Sequence, residues 1–208
     1  MSVRSRGLAT ACAAVCFLAA CCAAQCLTCG FESGVGRNGT PIGDGIPGLM
    51  FSTTTGGNVY YADINTGYYS VTSDNGKTYE DGEYFVSGDG AAYVANLTNR
   101  AKVSFTQGLA SYFTVGYSSQ FSFVLEAYNA QGALLTSATG PANTKSQGGT
   151  GLSYLTASSP DTAYVVMHDQ GGYWLIDSIT TDAPVPEPAS LSVIAAGLGA
   201  FALRRVRK

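Results

Sequence analysis

The sequence predicts an all-β fold over residues 25–184, an antiparallel β-sandwich of the jelly-roll kind. Three observations predict it. Short runs rich in Tyr, Phe, Val and Thr recur between clusters of Gly, Asn, Asp and Ser, at roughly the 8 to 12 residue spacing of sandwich strands. The clearest runs alternate with a period of two, the mark of a strand with one buried face. No part of this region keeps a 3.6-residue apolar period over three turns, which removes the crossover helices that a parallel α/β sheet needs.

The runs fall at 49–53, 58–63, 67–72, 83–87, 91–95, 102–106, 112–117, 121–128, 151–156, 163–168 and 173–180. In 112–117, Phe113, Val115 and Tyr117 stand against Thr114 and Gly116. In 121–128, Phe123, Leu125 and Ala127 stand opposite Ser122, Val124 and Glu126. Asn129-Ala130-Gln131-Gly132 supplies turn chemistry before Ala133-Leu134-Leu135, so these two runs form a hairpin. Segments 37–48 and 136–150 are rich in Gly, Ser, Thr and Pro without alternation and read as loops at the sandwich ends, the second either a contact loop or simply mobile.

Two segments flank this body. Arg4 and Arg6 precede an apolar, small-residue stretch over 7–24, the make-up of a secretory signal peptide over residues 1–24, with cleavage after Ala24. Leu18-Ala19-Ala20-Cys21 also fits the lipoprotein box, in which Cys21 becomes the lipidated first residue, and both processing routes stay open. At the other end, residues 185–208 run Val185-Pro186-Glu187-Pro188, then fifteen uncharged residues over 189–203, then Arg204-Arg205-Val206-Arg207-Lys208. As a helix that run reaches about 22 Å, short of the roughly 30 Å hydrocarbon core, so it enters a membrane and anchors there only marginally. The basic stop of Arg204, Arg205, Arg207 and Lys208 stays on the cytoplasmic side, which places the body outside.

Composition narrows the partners. Between residues 25 and 186 there are five basic residues, Arg37, Lys77, Arg100, Lys102 and Lys145, against thirteen acidic ones, a net charge of −8. So acidic a body repels phosphate backbones and anionic lipid surfaces, which excludes nucleic acid and favours divalent cations. Four of the six cysteines lie in the leader. Cys26 and Cys29 form half a zinc knuckle with no second half, so a tetrahedral metal site is not expected; in an oxidising compartment the pair closes a small disulfide or sits idle in a frayed N-terminal segment.

The C-terminal residues resemble the bacterial PEP-CTERM sorting signal: Pro186, Glu187 and Pro188 as the motif, a short hydrophobic helix, and an Arg-rich end. The resemblance implies an exosortase-type membrane protease as partner, processing near the motif, a transient stay in the inner membrane, and delivery to the cell surface or extracellular matrix. A plain tail anchor with a proline-rich hinge is the alternative, and it leaves the topology unchanged. Phe31-Glu32-Ser33-Gly34 and Tyr173-Trp174-Leu175-Ile176-Asp177-Ser178-Ile179 resemble the opening and closing strands of galactose-binding-like jelly rolls, the fold of many carbohydrate-binding modules. That resemblance implies a structural Ca2+ tying the two ends through Glu32 and Asp177, although the doubled aspartate of the family is reduced here to Asp177-Ser178. A hard cation joining these carboxylates and loop carbonyls would restrain two fraying ends; the alternative is two ordinary surface carboxylates.

Candidate catalytic groups are few. The single histidine, His168, falls at a strand end, and no Gly-x-Ser-x-Gly elbow exists. Selecting Glu126 with Asp169 or Asp177 as a glycosidase pair is arbitrary without a distance. The acidic stretch Asp74 to Glu83 has turn chemistry without EF-hand spacing and reads as a solvated loop. Trp174 and the tyrosines either stack sugars or fill the core, and core filling is the better reading for Trp174. The expectation is therefore a non-enzymatic exported protein with a structural or interaction role beside extracellular polysaccharide. The second reading is a lectin-like carbohydrate-binding module, and the third a secreted hydrolase.

Overall fold

The computed structural model describes residues 26–95, 100–172 and 174–185. Its strands, in chain order, are β1 (Leu27–Cys29), β2 (Leu49–Thr53), β3 (Tyr60–Asp63), β4 (Val71–Ser73), β5 (Tyr84–Val86), β6 (Gly90–Tyr93) and β7 (Ala101–Phe105). They continue as β8 (Ala110–Ser119), β9 (Phe123–Tyr128), β10 (Leu134–Gly140), β11 (Ser153–Thr162), β12 (Tyr164–His168) and β13 (Trp174–Thr181). One sheet runs β11-β8-β13-β6-β3, with β1 also on β13; the other runs β10-β9-β12-β7-β2. All pairs in both sheets are antiparallel, and a small parallel pair, β4 with β5, lies outside them.

The expected alternation is what closes the sandwich. Phe113, Val115 and Tyr117 of β8 and Phe123, Leu125 and Ala127 of β9 are all fully buried, facing one another across the core. Tyr117 stacks on Phe123 at 4.6 Å, Phe123 meets Trp174 edge-on at 5.4 Å, and Trp174 is a core residue as expected. Phe31, also fully buried, meets Phe51 at 5.8 Å and Tyr61 at 6.4 Å, so the start of the body is pinned into the core. A second, smaller cluster lies on the outer side of the first sheet. There the β4–β5 flap lays Val71 and Val86 with Ile64 on Ala62, Ala91 and Leu175.

Four expectations need correction. Residues 67–70 are not strand. Asp63 caps a 3-10 turn at Ile64–Thr66 by accepting from the Asn65 N–H, and Gly67 at φ 66° ends it, so β4 begins only at Val71. Segment 136–150 is not all loop: β10 is an edge strand, and its Ser and Thr side chains reflect exposure while β9 supplies the backbone partners. Likewise β11 extends through Pro160, which an edge strand tolerates because one side of its ladder is unpaired. Finally the N-terminal segment is not frayed, since Leu27, Thr28 and Cys29 pair with Thr181, Thr180 and Ile179. Three residues of extended chain put Cys26 and Cys29 about 10 Å apart, beyond the roughly 7 Å reach of a disulfide, so both stay thiols. The Asn129 hairpin holds, with the Asn129 side chain accepting from the N–H groups of Gln131 and Ala133.

Candidate functional site

Two places concentrate polar groups against this frame. The first is the corner where β13 changes partner. Upstream it pairs with β6 through Ile176 and Ala92; downstream it pairs with β1 through Ile179 and Cys29. Between them a bulge, with Ser178 at φ 51°, sets Asp177 at the seam. Residues 87–90, leading into β6, present successive N–H groups there. Ser87 donates to Asp177 at 2.8 Å, Gly88 to Asp74 at 2.7 Å, and Asp89 and Gly90 both donate to Glu32 at 3.1 to 3.2 Å. Gly88 is required here: its φ is 63°, and a Cβ would fall 2.2 Å from a Glu32 oxygen.

Three carboxylates thus converge on four residues of backbone. Asp177 is fully buried, and burial pushes its carboxyl up to about 7, with Glu32 and Asp74 adding repulsion while the Ser87 and Ser178 N–H groups pull the other way. The sequence-derived pair Glu32 and Asp177 is therefore brought together, and Asp177 is no surface carboxylate. Asp74, placed in a solvated loop by its sequence, joins them, while Asp89 next to it pairs with Lys77 at 2.5 Å. Among the described residues, no three Asp, Glu, His or Cys side chains gather closely enough to form a metal cage by themselves.

The second place is the outer face of the β10-β9-β12-β7-β2 sheet. Register builds it: Tyr128 of β9 lies opposite Tyr164 of β12, and Val166 of β12 lies between Glu126 of β9 and Lys102 of β7. The Tyr128 and Tyr164 rings stack at 5.1 Å and 6°, and the Lys102 ammonium sits 4.1 Å from the Tyr164 ring centre. Thr54, Arg100, Lys102, Tyr128, Tyr164 and Val166 line a groove of about 340 Å³. Glu126 accepts from the Tyr128 hydroxyl at 2.9 Å and stands 3.6 Å from both Arg100 and His168. Burial, then the Arg100 charge, hold His168 below its ordinary pKa, so it is a neutral side chain beside Glu126. Sequence reasoning placed Glu126 on the outward face of its strand but missed Arg100, Lys102, Tyr128 and Tyr164 as a group, because only the strand register assembles them.

As a catalytic pair the candidate carboxylates do not meet: Glu126 stands on β9 of one sheet and Asp177 on β13 of the other. Asp169 is a turn organiser, accepting from Ser119 at 2.9 Å, Gly171 at 2.9 Å and Gly172. Pro186, Glu187, Pro188, Arg204, Arg205, Arg207, Lys208 and Cys21 lie outside the described residues.

Residues 184–208 match the PEP-CTERM protein-sorting motif. The chain carries a PEP-CTERM sorting signal. That motif marks an exported bacterial protein sorted to the cell surface. No curated protein matches the chain. Among solved structures, the chain is similar to the carbohydrate-binding module of Cellvibrio mixtus lichenase 5A in complex with cellotriose, at 12% identity and TM-score 0.33 over 74% of this chain and 95% of that one. It is also similar to the CBM22-1 xylan-binding domain of Paenibacillus barcinonensis Xyn10C, at 12% identity and TM-score 0.36 over 77% of this chain and 95% of that one. A third is the Podospora anserina GH26-CBM35 β-(1,4)-mannanase, at 15% identity and TM-score 0.30 over 62% of this chain and 28% of that one. At identities and TM-scores this low, the likeness carries nothing about ligand or site.

Proposed function

We propose that this exported sandwich is a non-enzymatic glycan-binding component of the cell surface or extracellular matrix, retained among secreted polysaccharides by the groove on its five-stranded sheet. The observation that supports this reading is the groove itself. An aromatic wall, Tyr128 and Tyr164, stands over an apolar floor at Val166, with hydroxyl, ammonium and guanidinium donors around the rim. Such a mixture suits a pyranose, whose C–H face is apolar and whose edge is a ring of hydroxyls. Before sorting, the short apolar C-terminal segment holds the chain in the inner membrane, where an exosortase-type protease cuts near Pro186, Glu187 and Pro188. A glycan array probed with the full-length protein in detergent tests the groove. Selective, saturable binding that Tyr164→Ala removes is expected, and uniform silence overturns the reading in favour of a purely structural sandwich.

We propose further that Glu32 and Asp177 hold a structural calcium ion. Asp177 is a buried carboxylate whose charged neighbours, Glu32 and Asp74, are both negative, so the corner has a charge deficit that a hard cation relieves. Bound there, the ion would supply positive charge and fasten the β1 end of the chain to β13. Urea denaturation at pH 7.5 with calcium and with a chelator is the test, and an unmoved midpoint removes the ion.

A further inference from the structure

We infer that the groove on the five-stranded sheet selects an acidic saccharide, with Lys102 and Arg100 receiving the carboxylate of a uronic-acid unit. This rests on the glycan-binding reading above and names its ligand class. The body from 25 to 186 carries only five cationic side chains against thirteen acids. Two of the five lie in this one groove.

The fold leaves both cations room for a ligand, although Arg100 is ion-paired with Glu126. Lys102 has no carboxylate within 4.0 Å among the described residues and rests on the Tyr164 ring instead, whereas Lys77, elsewhere on the surface, is paired with Asp89. Arg100 is 3.6 Å from Glu126, outside hydrogen-bonding distance, and its side chain is 49% exposed, so its N–H fork is open to a second partner. Glu126 is itself engaged by the Tyr128 hydroxyl. Fork and ammonium together match a planar carboxylate held against an aromatic wall. Residues 25–186 carry a net charge of −8, and on that body the groove, which holds Lys102 and Arg100 side by side, favours an acidic glycan. A neutral glycan would leave Lys102 with the Tyr164 ring and Arg100 with Glu126 as their only partners among the described residues.

The test uses the full-length protein in detergent with two probes: an oligogalacturonate, and the same oligomer after reduction of its carboxyl groups to neutral galactose units. Binding of the acidic oligomer is expected to be about fivefold tighter, the upper end of the scale of one partly exposed charge pair. Lys102→Gln and Arg100→Gln should each erase that preference without moving the thermal midpoint, while Tyr164→Ala should weaken both probes. Equal affinity for the two probes, with Lys102→Gln and Arg100→Gln silent, overturns the acidic selectivity and leaves glycan binding standing. Failure to bind either probe overturns the acidic selectivity, and uniform silence on the glycan array as well overturns glycan binding.

Discussion

Removing the charge at Asp177 should change how stability depends on pH, and the sign can be worked from the corner where β13 changes partner. A carboxyl raised from an ordinary value of 3.8 to about 7 is more readily protonated in the folded state than in the unfolded one. Its favourable contribution is therefore fully present below the unfolded pKa and is lost as pH rises through the folded one, between roughly pH 4 and 7. The gap corresponds to roughly 4 kcal/mol, which is large against the stability of a domain this size. Urea denaturation in the presence of a chelator, from pH 4.5 to 7.5, should show the wild-type protein losing stability relative to Asp177→Asn as pH rises. Carboxylates held low, such as Asp89 with its Lys77 and Asn75 partners, tilt the curve the other way, but they are common to both proteins and cancel in the difference. Asn at 177 keeps one acceptor and turns its amide toward an N–H, a pH-independent cost of about 1–3 kcal/mol. Calcium should reverse the wild-type trend, because a bound cation keeps the carboxylate ionised; at a hundred times its dissociation constant it adds about 2.7 kcal/mol. Parallel curves for the two proteins would refute the buried-charge argument, and an unmoved wild-type midpoint on adding calcium at pH 7.5 would remove the ion.

Two other outcomes follow from single residues. Phe31→Ala should cost about 3–5 kcal/mol in urea denaturation, because the ring is fully buried between Phe51 and Tyr61 and its loss also frees the segment that carries Glu32. Replacing Glu187 and Pro188 by Ala should leave the tail attached to the mature protein in its native host, read as an increase in intact mass; an unaltered mature C-terminus would refute recognition of the motif.

Much of the sandwich was legible because its strands are half-buried and therefore alternate. Phe113, Val115 and Tyr117, or Phe123, Leu125 and Ala127, disclose their faces to anyone counting by two. Where that signal fails, the physics differs. Strand β10 is an edge strand over which only Gly140 is buried, so its composition resembles a loop. Strand β1 has three residues, too few to show any period, and exists because β13 offers an open side once β6 ends. The turn at Ile64–Thr66 was written in Asp63, Asn65 and Gly67, whose capping chemistry outweighed the aromatic run that follows.

The two candidate sites differ in the same way. Glu32 and Asp177 were found from sequence because each sits in a distinctive local string at one end of the body, and the sandwich brings such ends together through β1 and β13. Arg100, Lys102, Tyr128 and Tyr164 share no string: they lie on β7, β9 and β12 or just before β7, and become neighbours only through the ladders Tyr164 to Tyr128 and Val166 to Lys102. A shift of one residue in either ladder would turn these side chains inward and the core residues outward. The groove therefore depends on the packing that buries Leu125, Val165 and Val103 beneath it. That dependence explains how an acidic chain with few cations can concentrate two of them on one face. Burial of the apolar set fixes the register, and the register places the charges where no local motif announces them.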